Sequence, residues 1–514
     1  MEEIIVGAGT TKQRDQIPLL SKSRFMAGLQ CHKNLYLSCY HNELADPIGP
    51  SQQAVFDSGT KIGELARDIY PGGTLITENH FQHEQAVEST KAVLHDTSTP
   101  AIYEAAFLYD DIRIRADILV KVDDNLFDLV EIKSTTKTKD EHISDVAIQL
   151  YVLNGCGISI RRACLGHLNN QYVYQGGKYD IGQLFNIDDI TGEAKDKLPE
   201  IELRLQDLRL MLQQLEPPDV RVGRQCSQPY DCSFQGHCYI GVPEHYILQL
   251  PRISQKLLKS LNTAGIEDIR DIPIDFPGLN AAQQRVRDCV VNNRVYLNHK
   301  ISEELEQLDY PIHFLDFETF NPGLPLYVGT SPYQIIPFQW SNHILDEEGT
   351  LRHEDFLYDG YDDPREDFAR SMLQTLSDEG SIVVYSAYEA SRIKDLIKVL
   401  PHLAGNLYEL FPRIFDLLKL VRANCYHPDF HGSFSIKSVL PALVPDLDYS
   451  DLEINDGGLA SIAYAEIIRP NTTQKRRDFL RKSLLEYCKR DTEAEVRLFH
   501  ILKDSETIQN SRFQ

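Results

Sequence analysis

Pro311-Ile312-His313-Phe314-Leu315-Asp316-Phe317-Glu318-Thr319-Phe320 decides how the C-terminal part of this chain is read. Mostly apolar residues lead into two acids separated by one residue, then a threonine and an aromatic. Side chains alternate along a strand, so Asp316 and Glu318 share a face while their apolar neighbours anchor the strand in a core. Two carboxylates at the end of a buried strand make half of an oxygen-donor site suited to Mg²⁺ or Mn²⁺. The plainer alternative is a solvated acid pair at a strand end.

Further acids downstream extend this pattern. Ser381–Ser386 reads as a short buried strand running into Ala387-Tyr388-Glu389 and a helix through Leu400. Glu389 thus falls at a strand-to-helix junction. Residues 475–502 read as one long amphipathic helix, with Tyr487 and Asp491 four apart on one face. Asp491 supplies a fourth acid, and the Tyr487 hydroxyl can orient an attacking water. Lys475, Arg476, Arg477, Arg481, Lys482, Lys489 and Arg490 on the same helix can meet phosphates. Otherwise Tyr487 is a core tyrosine and Asp491 a surface acid. Asp416 reads as a structural or neighbouring acid. His427, His431 and Lys437 lie in a turn-rich loop that opens a helix, where capping and packing compete with phosphate contact.

The order D-x-E, an acid after a strand, then Y-x-x-x-D in a late helix resembles the DnaQ-like 3′–5′ exonucleases, in particular the subclass with a tyrosine in the last motif. The resemblance covers residues 306–505. It implies an RNase H-like fold with two metal ions, with Asp316, Glu318, Glu389 and Asp491 as ligands and Tyr487 beside them. The third acid departs from the usual Asp by being Glu389. The implied chemistry is attack of a metal-activated water on a phosphodiester.

At 514 residues the chain should form two or three domains. No run of about 18 apolar residues marks a membrane span, and the start lacks the layout of a signal peptide; the expected location is cytoplasmic, with no membrane partner. The net charge of −24 excludes a general basic coat for nucleic acid, so any nucleic acid needs a local basic groove.

The first third carries a second acid constellation. Ser21–Leu37 reads as one helix with an N-cap serine, containing Cys31; further helices are expected from Gly59 and over Phe81–Leu94. Glu64 and His80 are candidates for a site edge or plain surface residues. Strands are expected over 101–107, 112–120 and 126–133. Antiparallel pairing of the last two can set Asp117 beside Glu131, with Lys133 on the same face as Glu131. Carboxylates to hold a metal plus a lysine to stabilise transition-state charge are the chemistry of a metal-dependent nuclease. A helix carrying Asp145 and Gln149 follows.

This D, E-x-K, glutamine-helix order resembles the RecB-like PD-(D/E)xK nucleases. The resemblance implies a restriction-endonuclease-like fold and carries over Asp117, Glu131 and Lys133, with Gln149, and Glu64 or Glu104 as further members. Ala116 stands where a proline is usual, and Asp145-x-x-x-Gln149 replaces the usual Q-x-x-x-Y.

Three of the ten cysteines fall in Cys226-Ser-Gln-Pro-Tyr-Asp-Cys232-Ser-Phe-Gln-Gly-His-Cys238, five residues apart. Such a cluster favours metal or cluster ligation over disulfides, and Cys31 is the fourth candidate. Zinc and buried thiols remain alternatives. The pattern resembles the iron–sulfur subgroup of RecB-like nucleases, which implies that Cys31, Cys226, Cys232 and Cys238 bind a 4Fe–4S cluster and close a long loop.

The expected organisation is α/β: a RecB-like domain over 1–248, a helical linker over 249–305 that resembles a helix-hairpin-helix or is a plain connector, and a DnaQ-like domain over 306–514. The whole arrangement resembles a bacterial family joining these two domains. The expected function is a nuclease with two hydrolytic sites acting on DNA, single-stranded or at ends, with RNA as an alternative substrate, in DNA repair or antiviral defence; another protein can deliver the substrate. The rival expectation is a nucleic-acid-binding or redox-sensing scaffold with one or both sites inactive.

Overall fold

The computed structural model describes residues 16–504, a mixed α/β architecture that divides into two compact units. The first runs through Val242 and includes Gly323–Gln334; the second holds Pro243–Pro322 and continues from Ile335, so residues 249–305 fall within it.

The first unit is built on a seven-stranded mixed sheet in the order β2-β3-β4-β5-β6-β7, with β1 on the start of β4. These are β1 Leu20–Ser21, β2 Thr74–Leu75, β3 Ala101–Tyr109, β4 Ile112–Asp123, β5 Leu126–Lys133, β6 Ser159–Leu168 and β7 Phe185–Asp189. The β4–β5 pairing is antiparallel, with Ile118 opposite Val130, while β6 runs parallel to β5. The helix Asp140–Gly155 packs on this sheet through Val146, Leu150 and Leu153, joining Phe127 and Leu129 in one core. Burial of such side chains contributes roughly 1.5–3 kcal/mol each, so the strands that carry Asp117, Glu131 and Lys133 are held firmly in place.

The helix expected over Ser21–Leu37 is two helices. Ser21 caps the first, Lys22–Gln30, by accepting from Arg24 N at 3.2 Å. Cys31 then turns extended (φ −162°, ψ 122°) before His32–Tyr40. Nothing in the local propensities marks that break; tertiary bonds do. Gln30 Nε2 donates to Gln225 O at 2.6 Å and to Tyr230 O at 2.7 Å, and the Tyr36 hydroxyl donates to Leu215 O at 2.6 Å.

The second unit is built on a five-stranded sheet in the order β11-β10-β9-β12-β13, with a two-stranded pair of β14 and β8. These are β8 Tyr296–Leu297, β9 Ile312–Phe320, β10 Ile336–Leu345, β11 Leu351–Leu357, β12 Ile382–Val384, β13 Ile414–Asp416 and β14 Cys425–Tyr426. β9, β10 and β11 are antiparallel neighbours; β12 and β13 continue the sheet in parallel. The central strand β9 is therefore covered on both edges, which suits its near-continuous apolar run. The long helix Gln474–Lys503 lies against β9 and β10; Gln339 Nε2 donates to Leu484 O at 2.8 Å.

The segment 249–305 holds the helices Gln255–Thr263 and Ala281–Val291, with a short turn between them. Ser254 caps the first helix, Gly265 turns the chain at φ 73°, and the 3₁₀ turn Ile269–Asp271 comes before the second helix. Asp268 bonds Arg270 N and its guanidinium, which fixes that short turn.

Candidate functional site

In the second unit five carboxylates converge. Strand alternation brings Asp316 and Glu318 to one face of β9. Glu389 stands in the first turn of the helix Tyr388–Val399, and Asp491 and Glu495 stand one turn apart on the long helix. Glu318, Glu389, Asp491 and Glu495 are buried, whereas Asp316 is partly open. A 2.6 Å hydrogen bond between Thr319 Oγ1 and the Tyr388 hydroxyl ties the first acid pair to the Glu389 helix. The junction before Glu389 is strained: Ser386 has φ 146°, a region rare for L residues, and its Oγ accepts from Tyr388 N.

Burial first raises these acids, and repulsion by neighbouring acids adds to it for all of them but Asp491. Asp316 and Glu318 are held well above the carboxylate range, with Asp491 the largest charged contributor to each. Glu389 is pushed up to about 8, Asp491 to about 6, and Glu495 well above its ordinary value. Oε2 of Glu389 and Oε2 of Glu495 are buried without a hydrogen-bond partner. Such orphaned acceptors are costly unless a cation or proton satisfies them.

Around the acids stand their donors. The Tyr449 hydroxyl donates to Asp491 Oδ1 at 2.6 Å. Lys437 Nζ donates to the Tyr487 hydroxyl at 3.2 Å and to Asn455 O, and its charge opposes the upward shifts of Glu318 and Asp491. The Cys488 thiol lies 3.5 Å from Asp316 Oδ2. Among the described residues, Asp316, Glu318 and Cys488 form the group of three donors whose ligand atoms all lie within 4.8 Å of one another. Glu495 and Tyr449 are members that the sequence reading missed. For Glu495 a signal existed, since it lies four residues past Asp491 on the same helical face.

The remaining sequence candidates of this unit are placed by their contacts. Most cations of the long helix are engaged elsewhere: Arg476 with Glu466 at 2.9 Å, Arg490 with Asp451 at 3.0 Å, Lys482 with Glu486 at 3.5 Å, Arg477 with backbone carbonyls of Arg469 and Thr472, and Arg481 with those of Leu357 and Tyr358. His427 caps the turn Pro428–Phe430 through Nδ1, and His431 stacks on His245 at 5.5 Å, so both pack the loop. Asp416 caps the helix Leu417–Asn424.

In the first unit, Asp117 on β4 and Glu131 on β5 do meet. Asp117 Oδ2 accepts from Ile132 N at 2.7 Å. Burial and then the Glu131 charge push Asp117 up to about 7. Lys133 Nζ lies 2.7 Å from Glu131 Oε1 and 2.5 Å from Asp145 Oδ2. Gln149 Nε2 donates to Glu131 Oε2 at 2.8 Å. Lys22, which the sequence reading passed over, also reaches Glu131 Oε1 at 2.6 Å and Asp145 Oδ1 at 3.3 Å. The two lysines hold Glu131 ionised and well below its ordinary range, despite burial. Glu104 pairs with Arg67 at 3.6 Å from a backbone at φ 58°. Glu64 and His80 are exposed.

The four cysteines Cys31, Cys226, Cys232 and Cys238 line one small pocket with Lys33 and Arg221. All are free thiols. Burial, then the neighbouring Cys31, Cys226 and Cys238, pushes Cys232 up to about 11.

A family model described as Domain of unknown function (DUF2779) matches residues 313–435, a stretch that includes Asp316, Glu318 and Glu389 but ends before Tyr487 and Asp491. A comparison with curated proteins gives no match. No described helix is long and apolar enough to cross a membrane.

Proposed function

We propose that the chain is a metal-dependent nuclease with two hydrolytic sites: a PD-(D/E)xK-type site in the first unit and an RNase H-like, DnaQ-like 3′–5′ exonuclease site in the second, acting on DNA strands or ends. The observation that carries this reading is the convergence of Asp316, Glu318, Glu389, Asp491 and Glu495, with two of their oxygens buried and orphaned. Acids so crowded fit hard divalent cations, Mg²⁺ or Mn²⁺, which would offset the repulsion and stabilise the attacking and leaving oxygens of a phosphodiester displacement. The protein groups divide the remaining work. Tyr449 fixes the orientation of Asp491, Tyr487 presents its hydroxyl for an attacking water, and Lys437 offers positive charge to the scissile phosphate. Asp316, being partly open, faces the side from which a strand can enter.

For the cysteines we favour a 4Fe–4S cluster held by Cys31, Cys226, Cys232 and Cys238. Four thiols suit either zinc or an iron–sulfur cluster. Cys226, Cys232 and Cys238 are separated by five residues each, longer than the two- to four-residue gaps usual within zinc-binding cysteine pairs.

One observation favours a second reading of the first unit. Lys22 and Lys133 already neutralise Glu131 and Asp145, as in a structural ion-pair network, which would leave that unit a nucleic-acid-binding or redox-sensing scaffold. Cleavage of end-labelled oligonucleotides in Mg²⁺ or Mn²⁺ by Asp316→Ala and Lys133→Ala variants tests both. The proposal expects each variant to lose one activity. If only Asp316→Ala loses cleavage, the scaffold reading of the first unit stands; if neither does, the nuclease reading falls.

A further inference from the structure

Beside the acid cluster of the second unit lies a pocket of about 930 Å³, at the upper end of the range for ligand sites. Its wall carries Arg252, Arg285 and Arg422 and the partly buried rings of Tyr385 and Phe434, while the Tyr426 ring is fully buried; none of its lining residues is Asp or Glu. In a chain of net charge −24 such a wall is a local inversion of sign. The Arg285 guanidinium stacks 4.2 Å over the Tyr296 ring and donates to Ala423 O. Arg422 lies 6.0 Å over Phe434 and is exposed, as is Arg252, whose backbone sits in the left-handed region at φ 48°. Two of its lining segments lead to the acid cluster. Tyr385 directly follows β12, and its backbone bonds Glu495. Ser435 and Ile436 line the wall, and the next residue is Lys437, which reaches Tyr487.

We infer that this pocket is a binding subsite for single-stranded nucleic acid, holding the nucleotides next to the end that enters the acid cluster. Arginines without competing acids take the phosphates, and aromatic faces take the bases, the combination that binds single strands with little sequence preference. The inference rests on the nuclease reading for its choice of ligand.

The test is anisotropy of a fluorescein-labelled oligothymidylate in EDTA, with wild type, Arg252→Glu/Arg422→Glu and Asp316→Ala/Glu318→Ala. We expect the arginine variant to bind at least tenfold more weakly, with a log K against log salt slope flatter by about 1.4, or about 0.7 per lost phosphate contact on a single strand. The acid variant should bind within a few-fold of wild type. Photocrosslinking of a 5-iododeoxyuridine oligonucleotide should mark peptides containing Tyr385 or Phe434. Should the double charge reversal fail to fold, Arg422→Gln alone should flatten the slope by about half as much. Unchanged binding by a folded arginine variant, or crosslinks only elsewhere, would overturn the inference, as would displacement of the strand by thymidine monophosphate at equal nucleotide concentration, which would mark a mononucleotide pocket. If the Asp316→Ala/Glu318→Ala protein keeps cleaving while the arginine variant loses binding, the second-unit exonuclease reading fails and the subsite stands.

Discussion

The Tyr449 hydroxyl donates to Asp491 Oδ1 at 2.6 Å inside the second unit, so this acid of the cluster is oriented by a residue 42 positions earlier in the chain. A hydrogen bond to a charged acceptor contributes about 1.5–3 kcal/mol. Tyr449→Phe should therefore lower the rate of 3′-end removal by about 10- to 100-fold, with little change in strand binding. Single-turnover cleavage rates beside anisotropy check this.

The metal-free cluster is a store of repulsion. Asp316→Asn in EDTA should raise the thermal midpoint by a few degrees, because Asp316, held well above the carboxylate range, must take up a proton on folding and asparagine need not. The same variant should lose most of the further rise that Mn²⁺ gives wild type, since cation binding to the folded state alone stabilises by mass action. Calorimetry with and without Mn²⁺ reads both effects.

Stability of the EDTA-treated protein should fall as pH rises from about 6.5 to 8. Glu389 holds its proton to about 8 in the fold, above its ordinary value, and Asp117 to about 7. The folded state binds more protons than the unfolded across that window, so raising pH favours unfolding. His313 and His343, pushed by burial down to about 4, act in the opposite sense only below about 6.5, where the unfolded chain gains their protons. Denaturant midpoints across pH 6.5–8 should decline in EDTA and flatten with Mn²⁺; a rise in EDTA would contradict the charge assignment.

Cys31→Ser should empty the cysteine pocket of its metal and lower the stability of the first unit, because Cys31 and the 226–238 loop close a long stretch of chain. Anaerobic purification followed by iron, sulfide and zinc analysis should give about four irons per wild-type chain, as a 4Fe–4S cluster requires, and near none in the variant. One zinc per chain would refute the cluster.

Period-two and period-four patterns made much of this architecture legible. Asp316 and Glu318 face together because strands alternate, and Tyr487 and Asp491 meet because they lie one helical turn apart. The same rule would have reached Glu495. Tyr449 sits in a loop, Asp448-Tyr449-Ser450, with no period to project it. Lys22 reads locally as the first residue of a surface helix, and only the fold carries it to Glu131. The basic run of the long helix looked free because the partners of Arg476, Arg481 and Arg490 come from distant segments. The break at Cys31 arises the same way, from bonds to residues near 215 and 225–230.

The most direct test of the account is divalent-dependent cleavage by metal-depleted protein, read on a strand labelled at its 5′ end. Wild type reloaded with Mg²⁺ or Mn²⁺ should shorten the strand stepwise from its 3′ end, and Asp316→Ala/Glu318→Ala should remove this ladder while still binding the strand. An identical ladder from that variant, or cleavage that persists in EDTA, would contradict it.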